Sequence, residues 1–105
     1  MTEAFPLPVR DAPAEARLLD SFLTLGTREE VRDYLLDLCT PSEIRAFAER
    51  LEMARLLHEG ELSYRQIAEQ AGASTATVVR VARFLKAAPY GGYQRALTRL
   101  AEGGR

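Results

Sequence analysis

At 105 residues, 47% of them apolar and 28% charged, the chain has the material for one helical or mixed core and too little for two. No run approaches the roughly 18 apolar residues that cross a bilayer, and a single cysteine with a single histidine supplies neither an internal disulfide nor a structural metal site. The net charge of −1 conceals a division: residues 1–62 hold 7 Arg against 13 Asp and Glu, whereas residues 63–105 hold 7 Arg and Lys against 2 Glu, which places an anion-attracting surface in the C-terminal part.

The opening MTEAFPLPVRDAPAEA lacks the basic start and apolar centre of a secretory leader, so a cytoplasmic location is expected. Residues 1–11, with Pro6 and Pro8 and no helical period, read as a mobile arm, and Asp11 as a cap for the first helix. From Ala12, the residues Leu18, Leu19, Phe22 and Leu23 mark one face of that helix, with Gly26 as a left-handed stop. Thr27 and Glu30 have capping-box spacing at the start of a second helix carrying Val31, Tyr34, Leu35 and Leu38.

The clearest boundary is CTPSEI. Thr40 is the N-cap, Pro41 the first helical residue, Glu43 the reciprocal partner, and Cys39 with Ile44 the hydrophobic staple, which gives Cys39 a structural role. The third helix runs to about Leu57. Its apolar residues Ile44, Phe47, Ala48, Leu51, Met53, Ala54, Leu56 and Leu57 cover more than a narrow stripe, as expected of a central helix or of one shared with a second subunit.

Beyond Gly60, Ser63 and Gln66 again form a capping box, and Leu62 with Ile67 a staple, for a short fourth helix ending near Gly72. Ser74 caps a fifth helix that ends near Ala87, ahead of Pro89. The YGGY turn leads to a sixth with Tyr93, Ala96, Leu97 and Leu100 on one face. The pattern holds no β alternation and no repeat, so the expected class is all-α with six helices.

Helices four and five, joined through Gly72, have the form of a helix-turn-helix unit. Small Ala68 suits the crossing point, and Ile67, Ala71, Ala73, Val78 and Val81 fall between the helices. Thr75, Ala76, Val79, Arg80 and Arg83 then face outward, with Ser74 and Thr77 near the N-terminus of helix five. Small Thr and Ala side chains permit close approach to base edges in a major groove, Arg can donate two bonds to guanine, and amides and hydroxyls at a helix start can hold a phosphate. Arg65, opening helix four, and Lys86, at the far end of helix five, are placed for the DNA backbone on either side.

From LCTPSEIRAFAERLEMARLL through GELSYRQIAEQAGASTATVVRVARFLKAAP, residues 38–89, the chain resembles the Trp repressor superfamily, in particular its YerC/YecD-type members. The resemblance implies an intertwined homodimer in which the N-terminal helices of two subunits form one core and two reading heads project from it. Arg50 and Arg80 stand where the Trp repressor has arginines that help hold tryptophan. Val81 replaces a Gly and Phe84 a Ser beside that ligand, so the resemblance implies a filled pocket and no tryptophan co-repressor; no cofactor is expected.

His58 reads as a surface residue near a helix C-terminus, where an imidazolium favours the helix dipole. Asp33 with Asp37, and Glu49 with Glu52, have the spacing of any solvated helix face, and no catalytic or metal set is visible. Tyr90 and Tyr93 read as packing for the last helix.

The expectation is therefore an arm over 1–11 and a single helical domain over 12–105, comprising dimerisation helices (12–58), the helix-turn-helix (63–87) and a C-terminal helix (91–101). Its function is expected to be that of a DNA-binding transcriptional regulator, a repressor acting by operator occupancy as a homodimer on double-stranded DNA. The alternative is a helical protein-interaction module that docks a transcription component without touching DNA.

Overall fold

The computed structural model describes residues 12–103. The expectations for the arm over 1–11, and for Asp11 as a cap, lie outside the described residues. Six helices and no strand are found among those described: α1 Ala12–Leu23, α2 Arg28–Leu38, α3 Pro41–Glu59, α4 Tyr64–Ala71, α5 Thr75–Lys86 and α6 Gly92–Ala101. None of them is long and apolar enough to cross a membrane. The chain divides into two units, with the boundary inside α3 between Ile44 and Arg45.

The first unit contains α1, α2 and the start of α3. The left-handed stop expected at Gly26 is not observed, because Gly26 is not among the glycines with positive φ. Instead α1 closes through bonds from the Thr24 and Leu25 amides to the carbonyls of Ser21 and Phe22, at 3.2 and 3.3 Å. Thr27 Oγ1 accepts the Glu30 amide at 3.1 Å as expected, but the Glu30 carboxylate takes the Gly26 amide at 2.7 Å, one residue before the N-cap. Gly26 is held by a side chain from the next helix.

The Ser21 and Tyr34 hydroxyls meet at 2.6 Å, and Phe22 packs edge-on against Tyr34 with centroids 5.2 Å apart, which ties α1 to α2. The box at Thr40 is complete. Its Oγ1 accepts the Glu43 amide at 3.1 Å, and Glu43 accepts the Thr40 amide at 2.8 Å. Yet none of residues 13–44 is buried in the single chain.

The second unit holds the core. Met53, Ala54, Leu56 and Leu57 supply one face of α3, which continues to Glu59 rather than ending at Leu57. Against it lie Ile67 and Ala68 of α4, Val78, Val81, Ala82 and Leu85 of α5, and Leu97 of α6, with Leu62, Ala71, Ala73 and Tyr93 packed around them. Ile67 and Val78 are 0% exposed, so each contributes about 1.5–3 kcal/mol of hydrophobic stabilisation. The amide of Gln94 donates to the Leu85 carbonyl at 3.0 Å, so α6 satisfies an acceptor in the last turn of α5.

Candidate nucleic-acid interface

Two capped helices and one glycine set the geometry of the C-terminal unit. At the start of α4, the Ser63 hydroxyl accepts the Gln66 amide at 3.1 Å and the Gln66 side chain accepts the Ser63 amide at 2.8 Å. Gly72 ends α4 at φ 68, ψ 33, a left-handed conformation that costs other residues about 1–2 kcal/mol. The Ala73 amide then reaches the Ala68 carbonyl at 2.9 Å, and Ser74 opens α5 two residues beyond Gly72.

The rotation of α5 separates its two faces. At about 100° per residue, Thr75, Lys86, Val79, Arg83, Ala76 and Arg80 span an arc of about 140°, and all six are exposed. Val81, Leu85, Val78 and Ala82 fill the opposite arc and are 1, 4, 0 and 5% exposed. Half-buried Phe84 and Thr77 lie between the two. The burial expected for Ile67, Val78 and Val81 is therefore found, and Ala82 and Leu85 join them.

At the N-terminus of α5, the Ser74 hydroxyl accepts the Thr77 amide at 3.2 Å and lies 3.0 Å from the Thr77 hydroxyl. These two side chains build the helix start. The amides of Thr75 and Ala76, in the first turn, have no carbonyl of their own helix to bind, and they add the positive end of the helix dipole to this surface.

Two of the cations lie over aromatic rings. The Arg80 guanidinium lies 4.7 Å from the centre of the Phe84 ring, and the Lys86 ammonium 5.7 Å from that of Tyr64. Sequence reasoning missed both supports. The four-residue spacing of Arg80 and Phe84 signalled the first, whereas the second joins different helices and left no local sign. Tyr64 immediately precedes Arg65, which is exposed in the first turn of α4. Arg65 and Lys86, the two backbone-binding candidates, are both exposed.

Arg55 is neutralised, bonding Glu52 through Nε at 3.1 Å and Glu59 at 2.6 Å. The guanidinium holds the Glu52 carboxyl below its usual pKa, and the two carboxylates raise that of Arg55. Arg50, exposed, lies 5.9 Å from the Phe47 ring centre. His58 is exposed in the last turn of α3. Among the described residues, no group of three or more His, Cys, Asp or Glu is placed to hold a metal ion.

The fold and this surface define an all-α protein with a helix-turn-helix whose second helix is exposed along its polar side. The chain belongs to the Trp repressor protein family, whose model matches residues 15–101. It is 46% identical over 88 residues to the uncharacterized protein YerC of Bacillus subtilis, spanning 82% of this chain and 81% of that one. The Trp operon repressor homolog of Chlamydia trachomatis is 39% identical over 70 residues, 63% of this chain and 74% of its own. The crystal structure of a TrpR-like protein from Eubacterium eligens superposes with a TM-score of 0.78 at 39% identity, over 85% of this chain and 90% of that one.

Proposed function

We propose that this protein is a cytoplasmic, homodimeric transcriptional regulator that binds double-stranded DNA through α5 and represses by occupying its operator. The observation that carries the reading is the division of α5 into a buried arc and an exposed arc bearing Thr75, Ala76, Val79, Arg80, Arg83 and Lys86. A helix of this kind enters a major groove with its N-terminal residues at the base edges. Thr75, Ala76 and Val79 offer methyl groups to thymine, Arg80 and Arg83 offer paired donors to guanine, and Arg65 and Lys86 reach phosphates. Ser74 and Thr77 hold the helix start where its amides meet the backbone.

The single chain leaves an apolar surface uncovered, which supports a dimer. Leu19 is 60%, Leu23 82%, Leu36 50% and Leu38 47% exposed, and among the described residues none from 13 to 44 is buried. A second copy covering α1 and α2 supplies the missing core. Helix-turn-helix dimers, the Trp repressor among them, set half-sites about 34 Å apart, so a palindromic operator with that spacing is expected. Val81, 1% exposed, fills space on the inner side of α5, and Phe84 lies half-buried between its two arcs; the reading includes no tryptophan co-repressor.

Selection of bound duplexes from random and genomic DNA, with and without tryptophan, tests the proposal. The chain should enrich a two-fold symmetric site irrespective of tryptophan. In the double variant Arg80→Ala, Arg83→Ala, each lost base contact should cost about 1–3 kcal/mol and each lost phosphate contact should reduce the salt slope by about 0.9. Unchanged affinity and slope in that variant would exclude this face. Salt-tolerant capture of a protein partner with no duplex retained would replace the reading with an interaction module.

A further inference from the structure

Phe84 does more than border the core. It receives the Arg80 guanidinium on its ring at 4.7 Å and stacks on Tyr90, with centroids 6.4 Å and planes 19° apart. Phe84 thus touches both Arg80 and Tyr90, and links the exposed arc of α5 to the turn before α6. We propose that Phe84, supported by Tyr90, is the positioning residue that holds Arg80 in the orientation with which α5 reads a guanine. The inference rests on the DNA-binding reading above and assigns to it a residue outside the contact surface.

A guanidinium laid over a ring keeps its N–H donors in its own plane, at the edge, where a paired acceptor such as guanine O6 and N7 can meet them. The ring also restricts a long side chain before DNA arrives, so less freedom is lost on binding. Residues 80 and 84, four apart, are neighbours on the helix surface, so the contact needs no rearrangement of α5. Phe84 is only half-buried, and with Tyr90, Gly91, Gly92 and Tyr93 it lines an open cavity of about 340 Å³. Its ring is therefore peripheral to the buried cluster of Ile67, Val78 and Val81.

Phe84→Leu removes the ring and keeps apolar bulk, whereas Phe84→Tyr keeps the ring. Each is made in the wild-type chain and in Arg80→Ala, and binding to the selected duplex is measured beside a duplex with the Arg80-read guanine replaced. Phe84→Leu should weaken binding about two- to fivefold, as expected for losing one such contact, and flatten the preference for that guanine. Phe84→Tyr should restore both, and neither change should matter once Arg80 is gone. In the DNA-free protein, ¹⁵Nε relaxation should show the Arg80 side chain ordered in wild type and Phe84→Tyr and mobile in Phe84→Leu.

An equal penalty for Phe84→Leu with and without Arg80, or an Arg80 side chain indifferent to that substitution, would overturn this inference alone. A wild-type chain that retains no duplex would overturn the DNA-binding reading and this one with it.

Discussion

Replacing Gly72 by Ala isolates the turn on which the presentation of α5 depends. Gly72 sits at φ +68, and a Cβ built there meets no atom within 4 Å, so the substitution creates no collision. The cost is torsional, about 1–2 kcal/mol for a left-handed L-residue. The stiffer unfolded chain returns about 0.4–1 kcal/mol, leaving a net loss of about 1 kcal/mol. Urea unfolding at fixed protein concentration, needed because an assembling chain gains stability with concentration, should show a lower midpoint and an unchanged slope. Asn at the same position should lose less, since it tolerates this conformation. Gly92→Ala is the control: at the first position of α6, without positive φ and with open space around it, it should be neutral or stabilising. A Gly72→Ala protein as stable as wild type would refute the assignment of this turn, and a changed slope would show that the substitution altered more than one torsion.

Three further outcomes are expected. Leu19→Asp with Leu23→Asp, at positions 60 and 82% exposed in the single chain, should leave the helical content of the C-terminal unit intact while sedimentation at micromolar concentration shifts from dimer to monomer and operator affinity falls. Ser63→Ala removes an acceptor that holds the Gln66 amide and should cost about 1 kcal/mol in unfolding free energy. The Glu52 carboxyl should titrate below 4.5 by NMR and return toward that value in Arg55→Ala. Because its folded pKa is depressed, the stabilisation from this pair is present above the unfolded value and disappears as pH falls through the folded one. The stability difference between wild type and Arg55→Ala should accordingly shrink on acidification.

Local chemistry made much of this fold legible. Thr40, Pro41 and Glu43, Ser63 and Gln66, and Gly72 each act within four residues, and each appears in the structure as its spacing implies. Gly26 and Glu30 depart from the pattern because a Glu side chain can select either of two adjacent amides, and spacing alone does not choose between them. The exposed arc of α5 was readable from helical period and residue type, since Val78 and Val81 fix which side faces inward. The aromatic supports were not. Arg80 on Phe84 was visible only as a spacing, while Lys86 over Tyr64 depends on how α4 crosses α5, a tertiary relation with no signature in a short window.

The absence of any buried residue between positions 13 and 44 bears on how such a regulator is metered in a cell. Under the dimer reading, the first unit gains its interior only by meeting a twin, so abundance itself becomes an input. Sparse copies would stand half-unsheltered before proteases and be cleared, while plentiful ones would shield each other and persist, giving a sharper threshold than binding to DNA alone would set.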